Sequence, residues 1–425
     1  MTGRDPDGCG LGQKISCLLL YSDMMLRSGT VSFRVRESVE RLGRAMGLHH
    51  VTLGLTFDFI TLSADDASAL QAQTVDRLTL VRRVFGYGIN AHRLSALERL
   101  GLDAKPGLTP SQVLASLAKI DRTPPLRANI TVMFAVALAA AAFAYLNQGD
   151  PSAMVAAAIG AGVGQGLRMR LLLRKLNQFV VTAICAISAS TIYCLVTLAL
   201  GWLGLGSQRH AFGFVSSVLF LVPGFPLVAA VIDLVQDDLS VGVTRLAYGM
   251  MLLLAGGFGI CVVAGAASLN ADAPPAWVIN PAMASVLWEV ATFVGACGFS
   301  VLYNSEWSTV FMVGVLALAG NNLRFALHDW GMSLPSATFL GALTVGLLAT
   351  AVKRALQVAR IAVTVPGIIV MVPGTLTYQA IIHFEKSDIT GAVGSVLPAS
   401  FVLGAMALGL AAARLVTDRA WLYDH

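Results

Sequence analysis

Charge is scarce in this 425-residue chain. Asp, Glu, Lys and Arg make up 12% of it and hydrophobic residues 56%, with a mean hydropathy of +0.72. Ordinary soluble domains carry roughly 25% charged and 45–50% apolar residues. No soluble fold of this size could hide so much apolar surface. Cysteine is also sparse: the six (Cys9, Cys17, Cys185, Cys194, Cys261, Cys297) show no CxxC or other metal-ligand spacing. That excludes a zinc ribbon or a disulfide frame, and the last four read as small packing residues in apolar segments. A cleavable leader is not expected, because Ile15 to Met25 is broken by Ser16, Ser22 and Asp23 and lacks a small-residue cleavage site. The amino terminus is therefore expected to stay in the cytoplasm.

Enzyme signatures are missing as well. His49, His50, Asp58, Asp65, Asp66 and His92 have neither metal nor triad spacing, so no catalysis and no cofactor are expected. Gly160, Gly162, Gly164 and Gly166 are followed by no phosphate-loop Lys-Ser/Thr. They read as small-xxx-small pairs for close helix contact. The net charge of +5 comes mainly from arginines near apolar segment ends, which points to membrane orientation, not nucleic-acid binding.

What is present divides into two solvents. Residues 1–128 hold the dense charge. Val35, Val39, Leu42 and Met46 recur at helical spacing, and Val51 to Leu62 alternates at nearly period two. Further helical runs follow Tyr87 and Thr109-Pro110-Ser111, the proline suiting a first helical turn. A small α+β cytoplasmic domain is expected over 1–128, with Thr123-Pro124-Pro125 as a hinge into the membrane. It would scaffold or regulate the inward mouth.

Beyond it, apolar segments long enough to cross a core of roughly 30 Å recur near 129–147, 151–171, 178–200, 211–232, 245–268, 281–303, 308–327, 334–356, 361–382 and 391–416. Those at 211–232 and 361–382 carry Pro-Gly in the middle and could be re-entrant. With the amino terminus inside, cytoplasmic loops receive Arg168, Arg170, Arg174, Lys175, Arg245, Lys353, Arg354, Arg360, Arg414 and Arg419, and outer loops mainly Arg209, Arg324 and Lys386. The bias puts both termini in the cytoplasm, and a plasma (bacterial inner) membrane is the expected location.

The segments repeat. Gly164 to Leu171 aligns with Gly320 to Leu327, an offset of 156 residues; Leu221-Val-Pro-Gly224 aligns with Met371-Val-Pro-Gly374, an offset of 150. The second match continues through Ala230/Ala380, Ile232/Ile382 and Asp238/Asp388. Two copies of five spans, at 129–268 and 269–425, follow. An odd number of crossings starts the second copy from the opposite side, so the repeats are inverted. The expected fold is an α-helical polytopic membrane protein: about ten transmembrane helices as two inverted five-helix repeats, preceded by the α+β domain. Pro/Gly-interrupted helices at matching positions of inverted repeats point to a secondary transporter and its midplane site.

Several motifs resemble the threonine/serine exporter family: Leu26 to Val35 with Gly47-Leu48 and Ile60 to Ser63; Leu221-Val-Pro-Gly-Phe-Pro226 with Asp233 and Ser240 to Leu246; and Val372 to Tyr378. The resemblance covers almost the whole chain and implies proton-coupled export of L-threonine and L-serine by alternating access, with protons and membrane lipids as partners. The departures, apolar Val228-Ala229-Ala230 and Thr244 before Arg245, bear on the substrate. The competing classes are a passive channel, another small-metabolite transporter and a membrane-bound hydrolase.

The candidate site residues follow. Pro223, Gly224, Pro373 and Gly374 free backbone groups for a substrate, and Thr375, Thr377 and Tyr378 add hydroxyls suited to a hydroxy amino acid. Asp233 either binds a substrate ammonium, closes a gate with Arg245, or is a solvated loop carboxylate beside Asp237 and Asp238. Glu289 is expected deep in a span, facing the bundle interior as a proton-coupling group or a fixed hydrogen-bond acceptor. Arg168 and Arg324 occupy equivalent repeat positions, as snorkelling anchors or gating pairs.

Overall fold

The computed structural model describes residues 10–66, 77–84, 86, 88–205, 213–267 and 279–418. Arg209 and Arg419, on which part of the orientation argument rests, lie outside them, as does Cys9. The chain forms two compact units. One comprises residues 1–125, 228–246 and 357–361; the other comprises 126–227, 247–356 and 362–425.

The first unit is built on α1 (Leu11–Arg27), α2 (Ser32–Ala45), an antiparallel sheet of β1 (Leu48–Leu55), β2 (Phe59–Asp66) and β3 (Arg77–Arg83) in that order, α3 (Ala91–Leu102) and α4 (Pro110–Arg122). The alternating run Val51 to Leu62 is folded by Thr56 into a hairpin. Thr56 N–H donates to Phe59 O at 2.9 Å and its hydroxyl accepts the Phe59 N–H, pairing Leu55 with Ile60. One sheet face is then buried under the amphipathic helices, with Ile15, Leu18, Val35, Val39, Leu42, Ile60 and Leu62 in the core. Helix α4 starts on a capping box between Thr109 and Gln112, with Pro110 in the first turn. Tyr21 donates its hydroxyl to Leu97 O at 2.9 Å. Burial pushes that hydroxyl's pKa up and keeps it a donor.

The second unit holds the long apolar helices: α5 (Asn129–Leu146), α6 (Pro151–Leu173), α7 (Gln178–Trp202), α8 (Gly224–Val235) after a 3₁₀ segment at Val215–Leu221, and α9 (Leu239–Ala266). Then come α10 (Pro281–Leu302), α11 (Trp307–Asp329), α12 (Leu334–Leu356), α13 (Arg360–Ile368) running into a 3₁₀ turn at Ile369–Met371, α14 (Gly374–Glu385) and α15 (Ile389–Thr417). Parts of α8, α9 and α13 belong to the first unit. Seven of these helices are long and apolar enough to cross a membrane, or nine if each bent pair counts as one span. Helix α6 has 23 residues but is rich in glycine and alanine, and it falls outside that set. Ile130, Phe134, Phe258 and Phe401 are each at least 65% exposed, as side chains facing lipid would be.

Helix lengths and turns recur between the halves. Helices α6 and α11, and the starts of α7 and α12, are displaced by 156 residues, and α8 and α14 by 150. Left-handed backbone turns recur at the same offsets: Gln148 with Asn304, Lys175 with Gly331, and Asp237 with Ser387. Small residues let the helices cross closely. A Cβ on Gly320 would come within 2.8 Å of Gly341 O, and one on Gly341 within 2.7 Å of Gly320 O.

Candidate functional site

The two Val-Pro-Gly sequences make the same backbone break. Proline has no N–H to continue a helix, so each 3₁₀ segment ends at an extended valine, Val222 (φ −63°, ψ 122°) or Val372 (φ −60°, ψ 129°). Gly224 N–H then donates to Val222 O and Gly374 N–H to Val372 O, both at 2.9 Å. Each new helix closes its first turn onto proline: Leu227 N–H to Pro223 O and Thr377 N–H to Pro373 O, both at 3.1 Å. The axes bend by 59° and 61°. One asymmetry follows from sequence: Pro226 removes an amide donor from the first turn of α8, whereas Thr375 and Leu376 keep theirs in α14.

The surroundings differ more. A Cβ on Gly224 would meet only Ile369 Cδ1, at 3.7 Å, and Phe225 packs edge-on against Tyr303. A Cβ on Gly374 would lie 2.5 Å from both the oxygen and nitrogen of the Asn147 amide. Asn147, buried at the end of α5, donates to Phe143 O at 2.9 Å and to Ser216 Oγ at 3.4 Å. Ser216 in turn lines a small cavity with Val136, Ala140, Ala161, Phe220 and Phe299.

Tyr378 is fully buried and meets Phe214 edge-on, 6.5 Å between centroids. Thr377 spends its hydroxyl on Pro373 O of its own helix, at 2.9 Å; Thr375 is half-buried.

Asp233 belongs to the first unit, where it is 1% exposed and pairs with Arg245 at 2.7 Å. Its second oxygen accepts the Ser32 N–H, at 2.9 Å, at the start of α2. It is therefore not a solvated loop carboxylate. Two neighbours reinforce the contact: Arg36 pairs with Asp238 at 2.8 Å, and Ala359 N–H donates to Ser95 Oγ at 3.0 Å.

Glu289 departs from expectation. It is exposed on α10 and not turned into the bundle, because the inward positions of that stretch are taken by Ala291, Thr292, Gly295 and Ala296. Its Oε2 accepts from Asn322 Nδ2 at 3.1 Å. Arg324 is 6% exposed and does not snorkel; it reaches toward Asn321 Oδ1 at 3.5 Å and stacks over Phe325. Asn321 donates to Thr292 Oγ1 at 3.0 Å. Arg168 is half-buried, within electrostatic range of Tyr248 and Tyr303.

The structure thus brings Pro223, Gly224, Pro373, Gly374 and Tyr378 into one unit and gathers Asp233 and Arg245 in the other. Sequence reasoning missed Asn147, Ser216, Thr292 and Asn321, uncharged polar residues within or beside apolar runs. The repeat offset could have flagged Asn321, whose partner position in the first copy is Gln165. Among the described residues no cluster of His, Cys, Asp and Glu could hold a metal ion.

A threonine/serine exporter family model matches residues 16–266, and a second, described as "Threonine/Serine exporter, ThrE", matches 289–416. "Probable succinate transporter subunit YjjP" of Klebsiella aerogenes is 28% identical over 237 residues, which cover 56% of this chain and 87% of that protein. The protein of the same name from Escherichia coli K12 is 28% identical over 56% of this chain and 88% of its own length. "Threonine/serine exporter" of Corynebacterium glutamicum is 25% identical over 404 residues, 90% of this chain and 80% of that protein. No solved structure matches the chain. With more than half of its length matched by the first model, the chain belongs to the threonine/serine exporter family.

Proposed function

We propose that this membrane protein is a secondary active exporter of L-threonine and L-serine, working by alternating access between two inverted five-helix repeats. The observation that carries this is the pair of geometrically matched helix breaks at Pro223-Gly224 and Pro373-Gly374. Broken helices at corresponding repeat positions free backbone groups where a substrate can use them. Inversion draws support from chain direction: α8 ends among residues of the first unit, whereas α13 begins among them. In this arrangement α6 is the tenth span, 1–128 is the cytoplasmic domain, and 129–268 and 269–425 are the repeats. Both termini face the cytoplasm of a plasma-membrane protein.

Pro223, Gly224, Pro373, Gly374, Thr375, Thr377 and Tyr378 line the substrate path. The Asp233–Arg245 pair serves as an inward gate, and Arg168 and Arg324 brace the two copies. Glu289 carries the coupling proton, its hydrogen bond to Asn322 holding the carboxylate in an otherwise apolar surface.

Counterflow of radiolabelled threonine and serine in proteoliposomes with an imposed pH gradient tests the function. Saturable uptake of either is the expected result, and its absence removes the proposal. A dicarboxylate substrate is the second possibility, favoured by the succinate transporter name of the two first-half relatives; succinate is the competitor to include.

A further inference from the structure

The buried amide of Gln165 makes no use of its oxygen. The residue is 4% exposed in the middle of an apolar bundle, and its Oε1 has no hydrogen-bond partner. Buried polar groups are normally satisfied, so such an oxygen marks a place where something else completes the contact.

The repeat sets this oxygen beside a partnered counterpart. Gln165 on α6 corresponds to Asn321 on α11, at the offset of 156 residues; Asn321 donates an amide N–H to Thr292 Oγ1 at 3.0 Å, and its oxygen lies 3.5 Å from Arg324 Nη1. The position equivalent to Thr292 in the first copy is Val136, which has nothing to donate or accept. Val136 is part of the cavity wall, together with Ala161, one turn before Gln165 on the same helix face, and Ser216. Ser216 in turn joins Asn147 and, through it, the Gly374 break. The second copy thus partners both ends of its amide, and the first leaves an amide oxygen unmet one turn along the helix from a residue of the cavity wall.

From this we propose that Gln165, Ser216 and Asn147 form the recognition wall for the substrate, and that the wall selects small neutral zwitterions over dicarboxylates. The proposal rests on the transporter reading above and deepens it. Two amides and a hydroxyl offer both donors and acceptors, which suits a group carrying an ammonium and a carboxylate together. No charged residue lines the cavity. A dicarboxylate entering it would bring two buried negative charges without a cation to pair them. The cavity measures ≈ 10 Å³, space for about one water, so a substrate is admitted only when the helices around the breaks part.

The test uses the full chain in proteoliposomes, with threonine counterflow competed by serine, alanine and succinate. Serine and alanine should compete and succinate should not; succinate competing as well as serine overturns the selection for zwitterions. Gln165→Leu should raise the half-saturating threonine concentration by at least about tenfold with a smaller change in maximal rate, and Gln165→Asn should recover part of the loss. An unchanged half-saturation in Gln165→Leu overturns the wall. Ser216→Ala removes only a hydroxyl and repeats the test should Gln165→Leu fail to fold, with exposed Ser285→Ala as the control. Wild-type protein without saturable threonine counterflow defeats the exporter reading itself, which separates that failure from loss of the wall.

Discussion

At the first break Gly224 faces Ile369 at ordinary contact distance and Phe225 meets Tyr303. At the second, Gly374 presses against the Asn147 amide, which is held in turn by Phe143 and Ser216. Backbone hydrogen bonds and bend angles are the same at both. The comparison separates what the Val-Pro-Gly sequence imposes from what the neighbours add. Proline and glycine set the break; the side chains around it decide whether its surroundings are polar or apolar. A repeat duplicated in backbone has become asymmetric in chemistry.

The largest effect that would sharpen the comparison lies at a site present in only one copy. Asp233 and Arg245 are a buried ion pair, and their counterparts in the second half are His383 and Ser395. Removing one partner of such a pair costs about 3–5 kcal/mol. Asp233→Ala should therefore lower the thermal unfolding midpoint sharply, whereas His383→Ala should lower it little; equal shifts in a melting experiment would break the contrast.

Next come the glycines. Gly374→Ala has no room for its methyl and should cost about 1–3 kcal/mol by overpacking, with loss of transport. Gly224→Ala meets only the end of Ile369 and should stay close to wild type in chemical unfolding.

A smaller effect is expected at Glu289. Glu289→Gln keeps an acceptor for Asn322 but cannot ionise, so counterflow should persist while acceleration by a pH gradient disappears. Retention of the full pH-gradient response would exclude Glu289 as the coupling group.

The smallest is at Asp388, which caps α15 by accepting the Gly391 N–H at 3.0 Å. That bond, with help from His383, holds its carboxyl below the usual carboxylate range. A depressed folded-state pKa contributes stability above the unfolded value, about 4, that is lost as pH falls through the folded value. Between pH 7 and 5 the wild type should keep a constant margin in unfolding midpoint over Asp388→Asn, and the two should converge in stronger acid.

Much of the fold was legible because apolar length and proline chemistry act locally. The two Pro-Gly segments coincide with the bent pairs, and Thr109-Pro110 opens a helix as expected. The direction of a side chain is a different kind of quantity. Glu289 was expected to face inward because an isolated carboxylate in a span is costly, yet Asn322, 33 residues along on the next helix, meets it at the surface. Asp233 was indistinguishable in sequence from Asp237 and Asp238 until Arg245 and the Ser32 amide, 201 residues away, were seen to enclose it.

The sequence by itself determined that the chain is a membrane protein, where its apolar helices run and where two of them break, because hydropathy and backbone chemistry are properties of short stretches. Tertiary structure alone decided which polar groups are satisfied. The oxygen of Asn321 lies 3.5 Å from Arg324 Nη1 and that of Gln165 finds no partner, although the two occupy the same place in the repeat. A hydrogen bond needs a second group brought to within about 3 Å, and only packing between helices supplies it.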